Sequence, residues 1–190
     1  MKGLRRNEER WTINIYNQFK TGFKKSGLNW YAHSAGYYTK AIMKFLGCLA
    51  KKRNRKPYSK YHKHLWEKDR YGEYMVDMCW VEKRTEKFID VAIEEEWSAR
   101  RKNKDRLMWD FEKLTDIKAY VKVFIFAPRE SDIEFWLENF QRRITEHKIK
   151  LKEEVYLIIA LTRFEKDMTR IAGWIISKAG AIRKLATKEY

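Results

Sequence analysis

Hydrophobic positions along this chain follow two different periods. Trp11, Ile15, Tyr16, Phe19 and Phe23 recur at helical spacing, and Gly27 follows as a plausible helix end. Tyr38, Ala41, Ile42, Phe45 and Leu49 mark one face of a second helix. From Gly72 onward the period shortens to that of a strand. "EYMVDMCWV" reads as one strand and "FIDVAIEEEW" as the next, and the short polar link "EKRTEK" makes them an antiparallel hairpin. "WDFEKLTDIKA" returns to helical spacing. "YVKVFIFA" is a further strand, closed by Pro128. Ile133, Trp136, Leu137, Phe140 and Ile144 then define a longer helix, with Ser131 or Asp132 as its N-cap. "VYLIIALT" is another strand. "TRIAGWIIS" suits either strand or helix, and a short helix is expected through Leu185. Strands alternating with helices after the hairpin imply parallel neighbours covered on their faces. The expected class is α/β, with a mixed central sheet of four or five strands flanked by helices. A basic helical N-terminal segment precedes it.

Charge alters that picture by dividing the chain. The formal net charge is +16, yet residues 1–70 hold 18 Lys and Arg against 4 Asp and Glu, while residues 71–190 hold 24 against 22. Such asymmetry points to a polyanionic partner, nucleic acid before membrane. The densest run, "KKRNRKPYSKYHKH", contains Pro57 and reads as a mobile loop. It interleaves Lys51, Lys52, Arg53, Arg55, Lys56 and Lys60 with Tyr58 and Tyr61, a composition suited to phosphate contact and base stacking. A solvated basic loop has the same composition. No apolar run reaches membrane-spanning length, and "MKGLRRNEERW" lacks an apolar signal core, so a cytoplasmic protein is expected. Cys48 and Cys79 make no disulfide framework, and Cys79 suits a buried free thiol. His62 and His64 have metal-like spacing but no Cys or His cluster follows them, so they add to the cationic surface.

The most informative chemistry lies at the end of the second hairpin strand, where a buried run ends in Glu94, Glu95 and Glu96. Side chains alternate, so Asp90, Ala92, Glu94 and Glu96 share one face, with Glu95 and Trp97 on the other. If Val81 pairs near Phe88 or Asp90, then Asp77 lies opposite Ala92 or Glu94 and points to the same face. Asp77, Glu94 and Glu96 would then converge. Carboxylates that close need a compensating charge, and a hard divalent cation, Mg²⁺ or Mn²⁺, is the natural one. The bland alternatives are acids that run into solvent at a strand end, or a surface network with Arg100, Arg101 and Lys102.

With "EEEW" followed by a helix carrying "DFEKL" and then by "YVKVFIF", the chain resembles the PD-(D/E)XK nuclease superfamily over about residues 70–162. The resemblance implies a restriction-endonuclease-like core. It matches Asp77 to the superfamily's Asp and Glu94 to the first acid of its doublet. Glu96 stands where lysine is usual, so this is an E-x-E variant. Some members carry the lysine on the following helix, where Lys113 stands; its bland reading is an exposed helical lysine paired with Asp110 or Asp116. An acid on the helix before the hairpin is also common in the superfamily, but before residue 67 only Glu8 and Glu9 are present. One tightly held ion is therefore a safer expectation than two. Residues 1–70 would be a basic helical segment and loop, packed on or part of the core, and residues 71–190 the nuclease-like core.

The function this implies is metal-dependent hydrolysis of phosphodiester bonds in DNA. Asp77 and Glu94 would hold the ion, Glu96 would complete its shell or orient water, and Lys113 would stabilise developing charge. No base-reading motif is evident, so cutting should be structure-selective or weakly sequence-selective. Cutting both strands would suit a homodimer. The alternatives are a catalytically inactive nuclease-like nucleic-acid-binding protein, an RNA-directed nuclease, and an interaction protein whose basic lobe docks an acidic partner.

Overall fold

A computed structural model describes residues 5–25, 35–59, 76–84, 88–97, 101–148, 154–165 and 168–189 of the chain. Two helices, α1 (Arg5–Lys25) and α2 (Ala35–Lys52), come first. A short strand, β1 (Arg55–Tyr58), precedes the hairpin of β2 (Met78–Glu82) and β3 (Ile89–Glu96). Helix α3 (Lys104–Asp116) links β3 to β4 (Ala119–Phe126), and α4 (Ile133–Glu146) links β4 to β5 (Val155–Glu165). The chain ends with β6 (Met168–Ser177), β7 (Ile182–Lys184) and β8 (Lys188–Glu189).

All the strands join one mixed sheet in the order β1-β2-β3-β4-β5-β6-β7, with β8 also paired to β6. β3, β4 and β5 run parallel, as the intervening helices require. The other pairings are antiparallel. The sheet is thus larger than the four or five strands expected. Two local differences account for this. The run expected to be a mobile loop is, over its described part, the end of α2, a turn at Arg53–Asn54, and β1 on the sheet edge. Asn54 turns the chain with a left-handed φ of 56°, a conformation that asparagine tolerates better than most residues. Pro57 is accommodated because β1 is an edge strand. At the other end no helix runs through Leu185. "TRIAGWIIS" is a strand, and Ile182–Lys184 pairs with its outer edge.

Alternation along the central strands builds two cores. Val121, Val123 and Ile125 of β4 face α1 and α2, with Val91, Ile93, Leu157 and Ile159 beside them. Phe124 and Phe126 face α3 and α4, meeting Phe111, Trp136 and Phe140. Such burial, worth about 2 kcal/mol or more per large apolar side chain, ties both helical layers to the sheet. The N-terminal segment belongs to this body. Tyr16 of α1 lies so close to β6 that a Cβ on Gly173 would meet its ring at 2.5 Å. Its hydroxyl donates to the Ile171 and Ala186 carbonyls at 3.2 and 3.1 Å.

Lys122 also faces α3 and α4 and is fully buried. Its ammonium donates to Thr115 O at 2.8 Å and to Glu154 and Tyr156 at 3.2 Å each. Burial pushes its pKa down, against the pull of Glu154. This pair lies at the start of β5, away from the carboxylate end of β3. Among the described residues no helix is long and apolar enough to cross a membrane.

Candidate active site

The hairpin register decides which acids meet. Met78 pairs with Ile93, Cys79 with Ala92 and Trp80 with Val91, so Asp77, one residue before β2, comes level with Glu94. An irregularity between Trp80 and Val81 moves Val81 opposite Ile89 and leaves Asp90 as the extra residue. Asp77 and Glu94 then lock together through the backbone. Asp77 N–H donates to Glu94 Oε2 at 2.9 Å, and Glu95 N–H donates to Asp77 Oδ2 at 3.0 Å.

Helix α3 crosses the same face. Leu107, Phe111 and Leu114 are buried against the sheet, and this orientation brings Arg106, Asp110 and Lys113 to the carboxylates. Lys113 Nζ donates to Glu94 Oε1 at 2.5 Å and lies 2.7 Å from Asp110 Oδ1. Arg106 Nε lies 3.6 Å from Glu96 Oε2. Glu96 also shares a hydrogen bond with Asp110. The acids on this face therefore form two pairs, Asp77 with Glu94 and Glu96 with Asp110, bridged by Lys113. Lys113 thus lies against Glu94 and also makes the commonplace helical pairing with Asp110.

Electrostatics follow from this crowding. Glu94 is 3 % exposed. Burial first, and then the charge of Asp77, pushes its carboxyl up to about 8, against the hydrogen bond from Lys113. Burial also raises Asp110, and the contact with Glu96 adds to it. Burial alone would lower Lys113, but the bonds to Asp110 and Glu94 outweigh it and hold the ammonium above its usual value. The nearby Cys79 thiol is pushed up to about 12 by burial and by Glu94, so it is a buried inert thiol.

Glu95 points to the opposite face, where its Oε1 accepts from Thr39 of α2 at 2.7 Å. Thr39 accepts in turn from Trp97 Nε1 at 2.7 Å. Glu95 is thus a tie between β3 and α2.

Asp77 and Glu94 offer hard oxygen donors, and Glu94 is a buried carboxylate beside a like charge. That donor set fits Mg²⁺ or Mn²⁺, which take one or two carboxylates and complete their shell with water and phosphate oxygens. Among the described residues no group of three His, Cys, Asp or Glu is arranged to hold a metal ion. Glu96 sits with Asp110 and Arg106.

The basic cluster divides between roles. Lys51 and Lys52 are exposed at the end of α2. Arg53 donates to Asn14, and Arg55 pairs with Asp90 at 2.5 Å and lies over the Trp11 ring. Tyr58 is buried, and the Lys56 ammonium lies 5.1 Å from its ring centre, so Tyr58 is not open for stacking. Lys60, Tyr61, His62 and His64 lie outside the described residues.

Asp110 and Arg106 enter the site as residues that strand alternation cannot reveal. Helical spacing from Lys113 places Asp110 one turn away, and that is the available signal for it. No known family model and no curated protein matches the sequence.

Proposed function

We propose that this chain is a metal-dependent nuclease that hydrolyses phosphodiester bonds in DNA, an E-x-E variant on a restriction-endonuclease-like core. One observation carries the reading: Asp77, Glu94 and Lys113, distant in sequence, share one small volume at the end of the hairpin. Asp77 and Glu94 would hold Mg²⁺ or Mn²⁺, which when bound supplies positive charge to the scissile phosphate and lowers the pKa of a water. Lys113 keeps its proton near neutral pH, so it serves as a cation that stabilises developing charge on phosphate oxygens, not as a base. The Glu96–Asp110 pair holds one side of Lys113 and can orient water. Lys51 and Lys52 supply phosphate contacts that fix the strand without reading sequence. Cutting is structure-selective or weakly sequence-selective, and a two-fold dimer would suit cutting of both strands.

Asp77→Ala or Glu94→Ala should abolish Mg²⁺-dependent cleavage while DNA binding stays near the parent level. Retained cleavage would remove both residues from the site. Glu96, standing where lysine is usual, favours a second reading, a nuclease-like domain that binds DNA without cutting it. That reading predicts binding with no metal-dependent product.

A further inference from the structure

Tryptophan is costly to leave in water. Of the six tryptophans whose side chains are described, Trp80 and Trp136 are fully buried, Trp174 is nearly so, and Trp11 and Trp97 pack against the core. Trp109 differs, being 66 % exposed on α3. Among the described residues, no ring or cation is in contact with it.

Its position on the helix is specific. Leu107, Phe111 and Leu114 face the sheet, and Arg106, Asp110 and Lys113 face the carboxylates. Trp109 lies three residues after Arg106 and four before Lys113. At α-helical spacing it is therefore the next side chain on the solvent side of that ridge, about 6 Å from each neighbour between Cβ atoms. The indole stands beside one cation that touches Glu94 and another, Arg106, whose side chain is 73 % exposed. An uncovered aromatic flanked by cations suits a nucleobase whose phosphates are held alongside. Two other large aromatics are exposed among the described residues: Tyr37, on α2 across the sheet and in edge contact with the Tyr38 ring, and Phe88, which precedes β3 and lies at the strand's opposite end.

We propose that Trp109 is a stacking platform for an unpaired base next to the scissile phosphate, so the preferred substrate is single-stranded DNA or a branched DNA with an unpaired nucleotide at the cut. This rests on the nuclease reading above. The logic is geometric. Within a duplex the faces of a base are covered by its neighbours, and only its edges are open. An indole can cover a base face only where the base is unpaired, terminal or flipped out.

Trp109→Ala and Trp109→Phe test this in EDTA, with anisotropy of a labelled single strand, a forked duplex and a blunt duplex of the same sequence. Trp109→Ala should weaken single-strand and fork binding about tenfold and leave the blunt duplex within twofold. Trp109→Phe should retain most of the affinity. 2-Aminopurine beside the cut should be quenched by the parent protein and less so by Trp109→Ala. Equal loss on all three DNAs, or no loss on any, overturns the proposal. So does sedimentation in which Trp109→Ala dissociates a parent dimer, since the indole would then be a subunit contact. Metal-dependent cleavage that Asp77→Ala removes, together with unchanged strand preference in Trp109→Ala, would refute stacking and leave the nuclease reading standing. A parent protein that neither binds nor cuts any of these DNAs would end both.

Discussion

Replacing Glu94 by Gln isolates the electrostatic strain of the site. The carboxyl is carried from 4.5 to about 8 in the folded protein. At about 1.4 kcal/mol per tenfold in proton affinity, this corresponds to about 5 kcal/mol against the charged form. Relaxation and water entry reduce such penalties in practice, so about 2 kcal/mol is the size to expect. The sign follows from proton counting. Between pH 4.5 and about 8 the folded chain holds a proton that the unfolded chain has released. Glu94 therefore supports the fold most at low pH, and its contribution falls as pH rises through that window. Gln has no charge to desolvate, but its amide cannot accept both the Lys113 and Asp77 bonds, so absolute stability is a poor readout. The change with pH is the clean one. Urea unfolding in EDTA at pH 5 and pH 9 should show the parent losing about 2 kcal/mol more than Glu94→Gln across that range. Mg²⁺ at pH 9 should restore the parent and do little for the variant. Identical pH dependence in the two proteins would refute the burial argument for Glu94.

Two further outcomes follow from the geometry. Lys51→Gln combined with Lys52→Gln should reduce the salt dependence of DNA binding by about two in the slope of log K against log salt, measured by titration at several salt concentrations; an unchanged slope would move the phosphate contacts elsewhere. Lys113→Ala should lower the cleavage rate at least about a hundredfold with little change in affinity, measured under single-turnover conditions, whereas an unaltered rate would make the Lys113–Glu94 pair purely structural.

Much of the site was legible because a strand has a period of two and a short hairpin link limits its register. Those two facts set Glu95 apart and, with a supposed register, put Asp77 opposite Ala92 or Glu94; the irregularity after Trp80 is what brings it level with Glu94. The one-residue irregularity at Trp80 and Val81 was not legible: it turns Ile89 toward α3 and α4 while Val91 and Ile93 face α1 and α2, yet Ile89, Val91 and Ile93 read as one unbroken alternation in the sequence. Arg106 was missed, and Asp110 was named only as a helical partner of Lys113, for a different reason: how far α3 rotates on the sheet depends on how Leu107, Phe111 and Leu114 pack, not on their spacing alone. At the sheet edges sequence reading failed outright. β1 carries Arg55, Lys56 and Pro57, which resemble a loop because an edge strand tolerates charge and proline. Ile182–Lys184 is exposed throughout and is held by main-chain pairing to β6, which leaves no apolar period to detect.

The central claim is tested most directly by incubating the full chain with supercoiled, linear, single-stranded and forked DNA over a titration of Mg²⁺ or Mn²⁺. The account predicts cleavage that appears with metal, stops with EDTA and is strongest where unpaired nucleotides are present. Intact DNA at every metal concentration, with binding retained, would contradict it and leave a binding protein built on the same fold.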